Sequence, residues 1–220
     1  MAEDLDPLVV LPVPGPLRMA GAVSERRDAL RNRERVLCAA QRLLAESGVG
    51  SVDIREVARE AGVGVGTVYR RFGDKAGLVA ALLDERERAF QERLLRGPAP
   101  LGPGAPPRER LVAFLLALSD LVEENLPILA MLHGAGPGVR FRVGAYRAWR
   151  LHATILLQEG APGIDAGWFA EMLLAPLAAD LYRHQRYELG IEPERLRQNL
   201  EDAVDAVLQA PRRGEASAGA

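Results

Sequence analysis

The sequence predicts an all-α protein: an N-terminal three-helix helix-turn-helix domain joined to a larger helical domain. Three observations carry this. Apolar residues recur at three-, four- and seven-residue spacings over most of the chain. No stretch alternates apolar and polar residues with period two, and there is neither a hairpin signal nor an internal repeat. The breaks between periodic stretches fall at glycine or proline.

Composition narrows the class. The chain has 220 residues, 28 basic against 30 acidic, for a net charge of −2. Hydrophobic residues make up 48%, as in a globular protein, but aromatics only 5%, so the core must be aliphatic. One cysteine, Cys38, rules out an intramolecular disulfide and any paired-cysteine zinc motif. The three histidines lie far apart, so no metal site is expected. No apolar run reaches the ~20 residues of a membrane span. Glu3, Asp4 and Asp6 stand where a signal peptide needs basic residues. A cytoplasmic protein without a membrane partner is expected.

Residues 1–24 carry proline and glycine without helical period and read as a mobile tail. A first helix is expected from Glu25 to Glu46. Leu30, Leu37 and Leu44 recur every seven residues, and Val36, Ala40 and Leu43 widen the stripe. Gly48 and Gly50 are expected to end it. Cys38, beside the stripe, reads as a small buried or half-buried hydrophobe. Asp53 opens a second helix and, with Glu56 three positions on, forms a capping box. Ile54, Val57, Ala58 and Ala61 make its inner face, and Gly62 ends it. A third helix follows from Val65 to Phe72, with Val68 and Phe72 inward. After Gly73-Asp74 a fourth runs from Lys75 to about Arg96. Its apolar side is Leu78, Val79, Leu82, Leu83 and Phe90. Residues 97–107 hold five prolines and three glycines, so they read as a hinge, a boundary or a surface loop.

Two short helices around one glycine form a helix-turn-helix. Ala58 lets the backbones approach, Gly62 supplies a left-handed turn, and Val57, Val63 and Val68 fill the wedge. The third helix then stands out as a ridge that fits a major groove about 12 Å wide. Charge agrees. From Ala61 to Gly73 there is no acid, and Arg70 and Arg71 are adjacent. Residues 24–77 carry 11 basic and 8 acidic side chains, a net of +3, which leaves −5 elsewhere.

The stretch Gly62-Val-Gly-Val-Gly-Thr-Val-Tyr-Arg-Arg-Phe-Gly-Asp-Lys-Ala-Gly-Leu78, preceded by Ile-Arg-Glu-Val-Ala-Arg-Glu-Ala-Gly at 54–62, resembles the hallmark sequence of the TetR family of transcriptional regulators. The likeness covers roughly residues 28–83. Beyond them only length, helicity and layout agree. The resemblance implies that Thr67 and Tyr69 bind phosphates, and that Lys75 does so with help from the positive end of its helix. It implies that Arg55 reaches a base edge or phosphate. Val65, Gly66, Arg70 and Arg71 fall at the exposed positions that vary with operator sequence. Val65 could touch only a thymine methyl. The arginines could grip guanines or phosphates, or Arg71 could pair internally with Asp74 or Asp53. The DNA-binding domain is then 25–83, with its last helix extending to about 96, and the implied partner is a double-stranded DNA operator.

Residues 108–210 read as a ligand-binding and dimerisation domain of about five helices, 108–125, 127–133, 139–160, 165–189 and 193–210, ahead of a polar tail at 211–220. Pro127 separates the first two, and Pro176 kinks the fourth. Leu173, Leu177 and Leu181, with Leu196, Leu200 and Val204, line the last two helices and are expected to pair with a second copy in a homodimer. Met131, Phe141, Tyr146, Trp149, Trp168, Phe169 and Met172 gather most of the large adaptable apolar groups, with His152 among them as a polar partner. They either line a pocket for a small, largely apolar effector or fill the core. Glu159, Asp165, Glu171 and Asp180 read as solvated, and His184 with Glu188 as an ion pair. No catalytic constellation is found, and neither glycine alternation, 62–66 or 134–138, makes a nucleotide-binding motif, so neither catalytic activity nor a cofactor is expected. The alternative function is a helical adaptor that does not bind DNA.

Overall fold

The computed structural model describes residues 19–132 and 144–210, with side chains at 27–46, 52–129 and 145–210. Every regular element among the described residues is helical. They are α1 (Met19–Ser51), α2 (Ile54–Ala61), α3 (Val65–Phe72), α4 (Lys75–Arg96), α5 (Pro107–Leu132), α6 (Gly144–Gly160), α7 (Ala166–Leu174), α8 (Ala179–Arg183) and α9 (Pro193–Leu208). The expected tails, apart from 19–24, and the break around Pro137 lie outside the described residues.

Local sequence signals set the N-terminal elements. The extended Asp53 caps α2, its carboxylate accepting the Arg55 amide at 2.8 Å. The expected reciprocal half of the capping box is not made, because Glu56 pairs with Arg59 at 3.1 Å instead. Asp74 caps α4 by accepting the Gly77 amide at 2.8 Å. Helix α1 corrects the expectation at both ends. It starts at Met19, inside the expected tail, and runs through Gly48 and Gly50 to Ser51. Leu30 and Cys38 are exposed, and the inner stripe is Val36, Leu37, Ala39, Ala40 and Leu43. This stripe, the inner face of α2, Val68 and the first half of α4 form one small core.

A second core is built from α5, α6, α7 and α9. Helix α4 belongs to both. Leu78 and Leu82 lie in the first core, while Phe90 and Leu94 lie in the second. The proline-rich segment 97–106 is a surface loop anchored by Leu101, which is buried in the second core.

Two proline expectations are corrected. Helix α5 continues through Pro127. A mid-helix proline costs about 3 kcal/mol. Burial of Val122, Leu126 and Ile128 on either side opposes that cost and keeps the helix whole. At Pro176 the chain breaks rather than kinks: residues 175–177 form a 3₁₀ turn, Ala178 is extended, and α8 restarts the helix.

The second core also holds polar groups. The Ser119 and Tyr182 hydroxyls share a hydrogen bond at 3.1 Å, and burial pushes the Tyr182 phenol up to about 12. His152 lies edge-on to Phe114, ring centroids 5.0 Å apart, and its Nε2 has no protein partner. Burial, and then the charge of Arg110, hold the imidazole down to about 4, against 6.5 unperturbed. The unfolded chain therefore takes up this proton first. The contribution to stability is full above pH 6.5 and is lost as pH falls toward about 4. The melting temperature is expected to drop between pH 7 and 5.5, and to drop less in His152→Phe. Equal drops in both proteins would contradict this.

Candidate functional site

The turn between α2 and α3 is tight for identifiable reasons. Gly62 sits at φ 63°, ψ 41°, a left-handed conformation that disfavours side chains. The amide of Val63 returns to the Ala58 carbonyl at 3.0 Å, closing the end of α2. Ala58, Val57 and Val68 are completely buried in the one core that α1, α2, α3 and α4 share. At the far end of α3, Gly77 packs so closely that a Cβ there would collide with the Phe72 carbonyl oxygen. The first turn of α4 is thus pressed against the end of α3.

This packing turns the opposite side of α3 to solvent. Val65, Gly66, Tyr69 and Arg70 are exposed, as is Arg55 on α2, while Thr67 and Lys75 are half-buried beside them. Pairs 65/69 and 66/70 are one helical turn apart and share a face. No acidic side chain occurs on α3. Arg71 behaves differently from Arg70. Its guanidinium donates to the Ala29 carbonyl of α1 at 2.9 Å, not to Asp74 or Asp53, the partners anticipated for it. Arg71 so ties α3 to α1.

A cavity of about 560 Å³ lies in the second domain. Aliphatic side chains of α4 and α5, including Leu83, Leu118, Val122 and Leu129, make most of its wall. Tyr146 and Trp149 of α6 line it, as do Asp84, Glu87, Asn125 and Glu171. The Trp149 indole donates to Glu87 Oε1 at 2.8 Å, and Gln91 donates to the same oxygen at 2.7 Å. Burial, outweighing these two bonds, holds the Glu87 carboxyl above its usual range, and the charge of Asp84 adds to the rise. Glu171 accepts from the Tyr146 hydroxyl and from Arg150 Nε, the latter at 2.6 Å.

Of the eight residues expected around a ligand, Tyr146 and Trp149 are the ones among the described side chains that line this cavity. Met131 and Phe141 lie outside the described side chains. His152 packs on Phe114, and Phe169 packs on the core. Trp168 is 59% exposed, and Met172 borders a second, smaller groove of about 310 Å³. Glu171, read as solvated, faces the main cavity. The α4 residues Leu83, Asp84 and Glu87 escaped sequence reasoning because their helix was assigned wholly to the N-terminal domain. A carboxylate, Glu87, four residues after the apolar Leu83 and three before Phe90 was the available signal. The dimer residues also need correction. Leu173, Leu177, Leu196, Leu200 and Val204 are buried in the protomer's own core, because α7 and α9 pack against their neighbours within the chain. Leu181 is exposed, as are Trp168, Met172, Tyr187 and Leu189.

His184 and Glu188 do pair, at 2.7 Å. Among the described residues no three metal-ligating side chains gather, and no helix is long and apolar enough to cross a membrane.

Two short helices locked by a left-handed glycine, the second with a basic, acid-free outer face, define a helix-turn-helix DNA-binding domain. Residues 36–82 match the family model for bacterial regulatory proteins of the tetR family. This N-terminal domain is therefore of the tetR-family type. An HTH-type transcriptional regulator of Staphylococcus aureus is 43% identical over 53 residues. That match takes in 24% of this chain and 29% of the relative, so the chain is matched to less than a third of the relative's length. The fold agrees over more of the length. A transcriptional regulator from Rhodococcus superposes with a TM-score of 0.61 at 24% identity, over 80% of this chain and 96% of that one. A regulator from Saccharomonospora viridis, solved in complex with choline, gives 0.59 at 23% identity, over 79% and 95%.

Proposed function

We propose that the protein is a cytoplasmic, ligand-responsive repressor that binds a palindromic operator as a homodimer and lets go when a small molecule fills the cavity. The observation that carries this is the dual membership of α4. Its first turn abuts the end of α3 at Gly77 and Phe72, and its middle forms part of the cavity wall. Lys75 and Glu87 are twelve residues apart, about 18 Å along one rod at 1.5 Å per residue. The rod is fastened sideways to α1 by Arg33–Glu85 at 2.8 Å and to α5 by Val79 against Ile128. A ligand that displaces the middle of α4 therefore displaces the reading ridge.

On DNA, Thr67, Tyr69 and Lys75 contact phosphates and set register, while Arg70, Gly66 and Val65 meet base edges and Arg55 reaches the flank. Arg71, tied to α1, steadies the ridge. A single ridge covers too few bases to be selective. Two related by a twofold axis read half-sites about 34–36 Å apart. The solved regulator from Saccharomonospora viridis supports the small-molecule half of the reading, since its complex contains choline.

Selection of bound fragments from genomic DNA should return an inverted repeat. On that sequence Tyr69→Phe and Lys75→Ala are expected to weaken binding similarly for matched and mismatched duplexes. Lys75→Ala should also lower the salt-dependence slope by about 1. Arg70→Ala should cost about 1–3 kcal/mol, mainly at one base pair. A helical adaptor would select no repeat and lose nothing on these substitutions.

A further inference from the structure

The cavity has a sign as well as a size. Three carboxylates, Asp84, Glu87 and Glu171, line it, and among the described residues no lysine, arginine or histidine does. Two of the three are not balanced alike. Glu171 is bonded to the Arg150 guanidinium. Glu87 takes its hydrogen bonds from two neutral donors, Trp149 and Gln91, and both fall on Oε1. Asp84 stands three residues before Glu87, hence on the same face of α4. Its charge opposes that of Glu87 rather than offsetting it.

An organic cation would supply what the wall lacks. Its positive centre would face Glu87 and Asp84, and the Trp149 and Tyr146 rings of the same wall offer π faces for cation–π attraction. Its apolar part would lie on Leu83, Leu118 and Leu129. An anionic or neutral ligand would leave the half-buried Glu87 without a counter-charge.

We infer that the cavity's ligand is an amphipathic organic cation, a substituted ammonium with an apolar body, seated between the α4 carboxylates and the Trp149–Tyr146 wall. This rests on reading the cavity as the effector site and adds the charge of the effector.

The test is calorimetric titration of the full chain at pH 7.5 with three probes of one chain length, each below its micelle concentration: decyltrimethylammonium, the uncharged decyldimethylamine N-oxide, and decanoate. The cation is expected to bind at least tenfold more tightly than the N-oxide, and decanoate more weakly still. Glu87→Gln, which keeps an oxygen for the Trp149 indole, should shrink the cation's advantage at least fivefold while leaving N-oxide binding in place. Asp84→Asn, on the exposed side, should shrink it as well without disturbing Trp149. Equal binding of all three probes, or preference for decanoate, overturns the cationic assignment and leaves the cavity as an effector site. A cation advantage that survives both substitutions also overturns it. Failure of every probe to bind, in a chain that melts cooperatively, overturns the effector reading together with it.

Discussion

Replacing Ala58 by leucine is expected to abolish DNA binding while sparing the second domain. Ala58 has no exposed surface, and its carbonyl accepts the Val63 amide in the turn that joins α2 to α3. Three further carbons cannot be housed there without moving one helix. Overpacking of this kind costs about 1–3 kcal/mol where a core can adjust. This core is small, with thirteen buried residues among those described, and α3 contributes only Val68 to the buried set. The predicted outcome is at least a hundredfold loss of affinity for the selected duplex, measured by fluorescence anisotropy. Cation binding to the cavity should persist. Ala58→Ser, of similar size, should lose little, and Gly62→Asn should be better tolerated than Gly62→Val, because asparagine enters the left-handed region far more readily than a β-branched residue. An Ala58→Leu protein with unchanged affinity would mean that the α2–α3 junction does not set the ridge.

The second large effect concerns assembly. The proposed homodimer requires an apolar face on the outside of the protomer. Trp168 and Met172, one turn apart on α7, are 59% and 38% exposed, and Leu181 on α8 is 41% exposed. Met172 also borders the groove between α7 and α9, beside Pro176, Asn199 and Ala203. A second copy laid on this face would cover groups that otherwise stand in water. The double substitution Trp168→Glu, Met172→Glu places two like charges on each side of a twofold contact. Light scattering after gel filtration should then report monomer at micromolar concentration, where the unsubstituted chain is expected to give a dimer. Operator affinity should fall at least hundredfold, although α3 is untouched. A substituted protein that remains dimeric would place the twofold contact elsewhere.

How much of this was legible in the sequence depended on whether a signal was local. Asp53, Gly62, Gly73 and Asp74 act within one turn of their own position. The bounds of α2, α3 and α4 follow from them with little error. The second domain was harder, because its determinants are tertiary. Nothing near Pro127 announces that burial of Val122, Leu126 and Ile128 will carry a helix through a proline. An amphipathic stripe on α9 shows that one face is covered, but not whether the cover is the same chain or a copy. Leu196, Leu200 and Val204 were therefore assigned to an interface when they fill the protomer's core. Aromatic content misled in the same way: Trp168 stands in solvent, while Asp84 and Glu87, two of the three acids on the cavity wall, come from α4, a helix read as part of another domain.

The central claim is that the outer face of α3 enters a duplex groove. A cysteine at position 66 tests it directly. A side chain there meets nothing within 4 Å, and the exposed Cys38 can first be changed to serine. In the Cys38→Ser, Gly66→Cys protein, maleimide labelling of the free chain should be fast. With saturating selected duplex it should slow at least tenfold, and adding a molecule that fills the cavity should bring the rate back. An equal labelling rate with and without saturating duplex would contradict the account, because the ridge would then be open to solvent in the complex.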